Sequence, residues 1–147
     1  MARLLRVGDL GKCIGCYNCM FACAREVMGS YSPLTAAIRI RTGGGYHSKM
    51  AADVCRACRE PACAAACEEG ALRPRKAGGV RFVSGQCTRC GKCGEACPIK
   101  YLEFNPVTGQ PIVCRHCGVC ANYCPHGVLT MEEVNNAQPG IHQGAAR

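Results

Sequence analysis

The sixteen cysteines constrain this chain more than any other feature of its 147 residues. They fall into four groups of four, and no cysteine is left over. Three of these quartets read CxxCxxCxxxC, and the second has four residues rather than two between its middle cysteines. The quartets are Cys13, Cys16, Cys19 and Cys23; Cys55, Cys58, Cys63 and Cys67; Cys87, Cys90, Cys93 and Cys97; and Cys114, Cys117, Cys120 and Cys124.

The spacing inside each quartet favours [4Fe-4S] clusters. Three cysteines at every third position of a tight loop can reach three irons of one cube, whereas the fourth starts a segment that leads to a neighbouring cube. Pro98 and Pro125 follow the fourth cysteine of quartets three and four, as in bacterial ferredoxins. Gly91 and Gly118 suit loops whose backbone amides face cluster sulfur. We therefore expect four [4Fe-4S] clusters, with every cysteine a metal ligand.

In this cluster type the last cysteine of one quartet ligates the cluster of another, so the quartets have to be paired. The strand pattern AlaLeuArg and ValArgPheVal around a LysAlaGlyGly turn lies between quartets two and three, and it favours pairing these two. Quartets one and four then form the other pair, and we expect strands at 38–40 and 128–131 to pair with each other. The alternative, one with two and three with four, stays open.

The nested order predicts four ligand sets, A to D, one for each cluster. They are Cys13, Cys16, Cys19 and Cys124 for cluster A; Cys114, Cys117, Cys120 and Cys23 for cluster B; Cys55, Cys58, Cys63 and Cys97 for cluster C; and Cys87, Cys90, Cys93 and Cys67 for cluster D.

The expected fold class is α+β, with two nested bacterial-type 2[4Fe-4S] ferredoxin-like lobes of short strands and helices around a core dominated by clusters. The inner lobe is predicted at 49–101, with quartets two and three, and the outer lobe at 1–48 plus 102–131, with quartets one and four. Residues 132–147 lack hydrophobic periodicity, so we expect a tail that is flexible or ordered only by a partner.

Charge and composition exclude several other classes of protein. The formal charge is +8, but an oxidised [4Fe-4S] core with four thiolates carries about −2, so four clusters would offset it and nucleic-acid binding is not expected. A disulfide scaffold would need export, and the start MARLLRVGDLGKC lacks an apolar stretch of the required length. We expect a cytoplasmic protein without a membrane span. Zinc held by four thiolates in a binding module is the remaining chemical alternative.

No set of residues indicates chemistry on a substrate, and sixteen ligands for four cubes leave no open iron site. The sequence therefore predicts electron transfer rather than an enzyme. His116 lies inside quartet four, where a partly exposed loop histidine is favoured over a donor to cluster sulfur. Pro61 and the two extra residues of quartet two either set one cluster apart in potential or are a neutral insertion.

Longer segments around the quartets resemble the four-cluster ferredoxin-like subunits of molybdenum or tungsten bis-pterin oxidoreductases. GKCIGCYNCMFACARE, AAIRIRTGGG, DVCRACREPAC and IVCRHCGVCANYCPHGVL resemble in detail the small electron-transfer subunit of tungsten-dependent aldehyde oxidoreductase complexes. The iron–sulfur subunit of tungsten benzoyl-CoA reductases is also similar. Ala24 and Glu68 depart from the proline that often follows the fourth cysteine in that pattern.

The resemblance implies a large tungsten- or molybdenum-pterin catalytic subunit as partner, with electrons passing on to a flavin/NAD subunit or to a ferredoxin. A conductor with two ends also allows end-to-end self-association. A freely diffusing polyferredoxin remains the alternative.

Overall fold

The computed structural model describes residues 2–46 and 49–134, which form short strands and helices. The strands are β1 Ala2–Val7, β2 Arg39–Thr42, β3 Met50–Asp53, β4 Leu72–Pro74, β5 Val80–Phe82, β6 Glu103–Phe104, β7 Pro111–Ile112 and β8 Leu129–Val134. The helices are α1 Asn18–Met28, α2 Ala62–Ala65, α3 Lys92–Ala96 and α4 Val119–Asn122. Within these ranges, no helix has the length and apolar character needed to cross a membrane. The mixed helix and strand content agrees with the predicted class.

All strands of the described chain pair in antiparallel twos: β1 with β8, β2 with β3, β4 with β5, and β6 with β7. The predicted hairpin between quartets two and three is confirmed, since Leu72 pairs with Phe82 and Pro74 with Val80. The β6–β7 hairpin turns at Asn105, whose side-chain oxygen accepts from the amides of Val107 and Thr108. Such a local turn suits the Asn-Pro sequence at this point.

The predicted pairing of strands 38–40 and 128–131 is wrong. β2 pairs instead with β3, the next strand along the chain, which needs only a short loop to close. β8 pairs with β1 over six residues, from Ala2↔Val134 to Val7↔Leu129. The sequence pattern did not predict β1 as a strand. Residues 132–134 of the predicted tail belong to β8, and the rest of that tail, 135–147, lies outside the described residues.

Contacts between helices link the quartets in the order that nesting requires. α1, which carries the end of quartet one, packs against α4 of quartet four, and α2 of quartet two packs against α3 of quartet three. The β1–β8 ladder joins the segment before quartet one to the segment after quartet four. The division into two lobes stays a prediction, because a single set of buried side chains runs through both segments.

The core mixes aliphatic side chains with cysteines. Ile38 and Ile112 are its largest fully buried members, and Leu5 and Leu72 pack in the same cluster. Tyr101 is buried, and its hydroxyl donates a hydrogen bond to the carbonyl of Ala37 across 64 residues of sequence. Six cysteines are buried in this core: Cys19, Cys23, Cys93, Cys97, Cys114 and Cys120.

The glycines of the β4–β5 turn allow an unusually close backbone approach. Gly78 has φ +96°, and a Cβ atom there would overlap the carbonyl oxygen of Ala57. Gly70 also has a positive φ, +65°, but a Cβ atom there would meet nothing within 4 Å. The same substitution at the two positions therefore separates the free-energy cost of a left-handed backbone from the cost of steric overlap.

We expect Gly70→Ala to cost about 1–2 kcal/mol, the usual penalty of left-handed backbone. Gly78→Ala should cost about 1–3 kcal/mol more, because the added methyl group displaces the quartet-two loop. Thermal denaturation of both variants, followed by circular dichroism under anaerobic conditions, measures the difference. Equal transition temperatures would contradict the close approach at Gly78.

Candidate iron–sulfur centres

Each quartet begins with the same backbone turn. The second residue between the first two cysteines has positive φ in all four cases, at Gly15 (68°), Ala57 (52°), Arg89 (62°) and His116 (52°). Three of these are not glycine, so the conformation is strained and has to be enforced by its surroundings. Turns of this kind direct successive amide groups towards one point and favour negative charge there.

The third cysteine of every quartet is the second residue of a helix: Cys19 in α1, Cys63 in α2, Cys93 in α3 and Cys120 in α4. In three quartets the helix is preceded by a residue with positive φ, which is Tyr17, Gly91 or Gly118. In quartet two this residue is Pro61, with φ −74° and ψ 109°. In quartet two, which has two extra residues, the residue before the helix is therefore extended rather than left-handed.

Two cavities are each bounded by four cysteines from the predicted sets. Cys55, Cys58, Cys63 and Cys97, the set of cluster C, line one cavity. Cys67, Cys87, Cys90 and Cys93, the set of cluster D, line the other. In both cavities the fourth thiol comes from the opposite quartet, as nesting predicts for quartets two and three.

The remaining eight thiols are grouped by their electrostatic effects on one another. Burial, followed by the neighbouring thiols Cys124, Cys16 and Cys13, raises the pKa of Cys19 to about 11, although the Met20 amide opposes this. Burial is also the largest effect on Cys120, and together with the thiols of Cys23 and Cys117 it raises the pKa of Cys120 to about 12. Burial also raises the pKa of Cys114 well above its usual value, with Cys23 and Cys120 among the contributing thiols. The structure thus brings together the sets predicted for clusters A and B; that these cysteines ligate iron stays a prediction.

The same interactions connect thiols of different sets. Cys19 of set A contributes to the raised pKa of Cys120 in set B. Cys55 of set C contributes to the raised pKa of Cys114 in set B, and Cys63 of set C to that of Cys93 in set D. Set A therefore has thiols near set B, set B near set C, and set C near set D.

Tyr101 lies between sets B and C. Burial raises the pKa of its phenol well above the usual value, and Cys114 and Cys23 of set B and Cys55 and Cys97 of set C add to the effect. The hydroxyl is committed to the carbonyl of Ala37, so it is not free to donate to a thiolate. Tyr101 therefore acts as neutral packing between two groups of thiols.

Backbone amides near several cysteines are placed to bind a charged sulfur. The amide of Ala37 donates to Sγ of Cys23 at 3.3 Å, and the amide of His116 donates to Sγ of Cys114 at 3.4 Å. Burial raises the pKa of Cys124, but amides of His126, Val128, Leu129 and Gly127 outweigh it, and the pKa falls below its ordinary value. Such hydrogen bonds stabilise metal-bound thiolates and tune iron–sulfur potentials.

This donor set fits a cubane cluster. Thiols buried beside one another resist deprotonation, and bound iron supplies the positive charge that makes the thiolate form favourable. A cubane spreads four thiolates over four irons, so its ligands surround a volume rather than one point. Among the described residues, no three histidine, cysteine or acidic side chains are grouped to hold a single metal ion.

His116 is buried, so the predicted partly exposed loop histidine is wrong. Its Nδ1 accepts the amide hydrogen of Leu5 at 3.1 Å, which ties β1 to the loop of quartet four. Burial, helped by the charges of Arg75 and Arg6, lowers the pKa of His116 to about 4. This contact could not be anticipated, because it depends on the unrecognised strand β1.

Comparison with known proteins supports the same chemistry. Residues 85–107 and 113–132, which contain quartets three and four, match a family described as 4Fe-4S binding domain. This part of the chain is therefore similar to a 4Fe-4S binding domain. The family match is local, and quartets one and two lie outside it.

Three relatives resemble this chain over about three quarters of its length. HydN, an electron transport protein of Escherichia coli K12, is 33% identical over 112 residues, or 73% of this chain and 61% of its own length. The B subunit of tetrathionate reductase from Archaeoglobus fulgidus is 30% identical over 76% of this chain and 54% of its own. The arsenate respiratory reductase iron-sulfur subunit ArrB of Shewanella sp. ANA-3 is 31% identical over 72% of this chain and 47% of its own length. The chain thus spans about half to three fifths of the length of these relatives.

A solved structure shares the fold. A chain of the active site complex BamBC of benzoyl coenzyme A reductase superposes with a TM-score of 0.50 and 20% identity, over 89% of this chain and 76% of that one. The predicted likeness to electron-transport and reductase iron–sulfur subunits is confirmed at this level. The assignment to tungsten-dependent aldehyde oxidoreductases stays a prediction.

The ligand sets make a testable prediction about shared clusters. Cys97→Ser should perturb the same iron–sulfur signal as Cys63→Ser, because both thiols line one cavity. Cys93→Ser, in the same quartet as Cys97, should perturb a different signal. Electron paramagnetic resonance of the reduced variants compares the three spectra. Matching changes in Cys97→Ser and Cys93→Ser would contradict the exchange of fourth cysteines.

Proposed function

We propose that this chain is a non-catalytic electron-transfer subunit that carries four [4Fe-4S] clusters, A to D, in series. The convergence of four thiols on each of two cavities is the observation that carries this proposal. Each cluster passes one electron without rearranging atoms, so the protein contributes spacing, solvent exclusion and potential. All sixteen cysteines are consumed as ligands, which leaves no iron open to a substrate.

Both ends of the series reach the surface. Cys16 of set A and Cys90 of set D are exposed residues, and Cys117 of set B is a third. Ile14 (64% exposed) and Phe21 (46% exposed), two and five residues from Cys16 in the sequence, are exposed apolar side chains. Exposed apolar side chains near one another are typical of a contact with another protein. Set A is therefore the end that we assign to a large catalytic subunit.

The partner is proposed to be a tungsten- or molybdenum-pterin enzyme, with a tungsten aldehyde oxidoreductase as the specific candidate. This follows from the resemblance of the quartet sequences, and it is supported by relatives that are named as reductase subunits. A flavin/NAD subunit or a ferredoxin would accept electrons at the other end. A free polyferredoxin is the second candidate, since HydN is named only as an electron transport protein.

Metal analysis and a reductive titration test the electron-transfer role. Anaerobically purified protein should contain about sixteen iron and sixteen sulfide per chain, one of each per cysteine. Dithionite should deliver about four electrons per chain, one to each cluster. A zinc-containing chain that takes up no electrons would contradict the proposal.

Co-purification from the native source tests the partner. The wild-type chain should elute with a large subunit that contains tungsten or molybdenum, and Phe21→Glu should lose this partner because it places a charge in the apolar contact. Val107→Glu is the matched control, since Val107 is 90% exposed on the β6–β7 turn. A fully loaded wild-type chain that always elutes alone would favour the free carrier.

A further inference from the structure

The set of cluster C differs from the other three in its exposure to solvent. Sets A, B and D each contain one exposed cysteine residue, and it is always the second cysteine of a quartet: Cys16, Cys117 or Cys90. The equivalent residue of set C, Cys58, is half-buried, and no residue of that set is exposed. All sixteen cysteines lie in the described part of the chain.

The β4–β5 turn provides the cover over Cys58. The amide of Gly79 donates to the carbonyl of Cys58 at 2.9 Å, and Gly78 lies directly against the carbonyl of Ala57. Only a residue without Cβ allows this approach at Gly78, where φ is +96°. The turn therefore covers part of the quartet-two loop, whereas the second cysteine residue of each of the other quartets is exposed.

The cavity of set C is also more apolar than that of set D. Only one charged residue, Arg56, lines it. Apart from the cysteines and Gly79, the rest of the lining is apolar or aromatic: Pro61, Ala62, Val80, Pro98, Ile99, Tyr101, Leu102 and Val113. The cavity of set D includes four charged side chains: Glu68, Glu69, Arg89 and Lys92. The Tyr101 hydroxyl donates to Ala37, so it offers no hydrogen bond to a cluster. A buried charge is less stable among apolar side chains than beside water or polar groups.

The loop of quartet two also differs from the others at the start of its helix. Tyr17, Gly91 and Gly118 precede their helices with a backbone N–H, whereas Pro61 at the same place has none and places an apolar ring in the lining of the cavity. An apolar lining and less solvent both lower the potential of an iron–sulfur cluster. Arg56 opposes this trend, because a nearby positive charge favours the reduced form.

Building on the proposed function, we propose that cluster C has the lowest reduction potential of the four and forms an insulated interior step of the series. A [4Fe-4S] cluster held by Cys55, Cys58, Cys63 and Cys97 would take one electron from a reduced neighbouring cluster, and its charge with four thiolates would change from about −2 to −3 without a proton. Pro61, Val80 and the Gly78–Gly79 turn make that added charge costly. Electrons that travel between A and D therefore cross an energetically uphill step at C.

A redox titration of the holo-protein, followed by electron paramagnetic resonance, tests this assignment with ligand variants. Cys58→Ser should alter the component with the most negative midpoint, and Cys90→Ser, the equivalent substitution in set D, should leave that component in place. The proposal is overturned if the most negative component responds to Cys90→Ser, Cys16→Ser or Cys117→Ser and not to Cys58→Ser. A preparation without any cluster signal would instead overturn the proposed function itself.

A second variant keeps the ligands intact. Val80→Thr preserves the shape of a buried side chain and adds a hydroxyl to the cavity of set C. We expect the most negative midpoint to move to a more positive potential while the others stay unchanged. Val7→Thr, on the half-buried face of β1 and outside both cavities, is the matched control and should shift none. An unchanged lowest midpoint in Val80→Thr would contradict the role of the apolar lining.

Discussion

Burial of thiols beside one another is the constraint on which the rest of this structure depends. Neighbouring thiols in an apolar setting cannot all be ionised without a compensating positive charge. The raised pKa values of Cys19, Cys63, Cys93 and Cys120 express this cost. Under the proposed function, bound iron would remove this cost and make each ligand loop rigid. The clusters would thereby replace much of the apolar packing that a domain of this size otherwise needs.

The short elements follow from this constraint. Each helix has to place one cysteine in its first turn, and each ladder has only to hold two loops in position. The outermost ladder, β1–β8, brings the segments before quartet one and after quartet four together, so cluster sets A and B are closed by the two ends of the described chain. His116 reinforces this closure, because its ring accepts the amide hydrogen of Leu5 from within a ligand loop. Tyr101 connects the inner and outer segments through Ala37, which explains why one core serves both.

Local features of the chain could be predicted from its sequence, whereas contacts between distant segments could not. Cysteine spacing indicated the four loops, and the LysAlaGlyGly turn indicated the β4–β5 hairpin, because both depend on neighbouring residues. The predicted partner of β8 was wrong, because β1 lies more than 120 residues away in the sequence. Arg3 and Arg6 also obscure the alternation of apolar and polar residues that would identify β1 as a strand. The burial of His116 was missed for the same reason. Pro61 stands out in the sequence of quartet two, whereas the contact of Gly78 and Gly79 with the same loop joins segments about twenty residues apart, and the sequence alone does not place it there.

The central claim is that sixteen thiols, sorted into sets A to D, hold four [4Fe-4S] cores. Native mass spectrometry of the anaerobically purified chain tests it most directly, because it weighs the bound cofactors while the fold is intact. We predict one dominant species with the added mass of four [4Fe-4S] cores and no zinc. A folded chain whose added mass corresponds to zinc ions without sulfide, or whose mass shows its cysteines oxidised to disulfides, would contradict it.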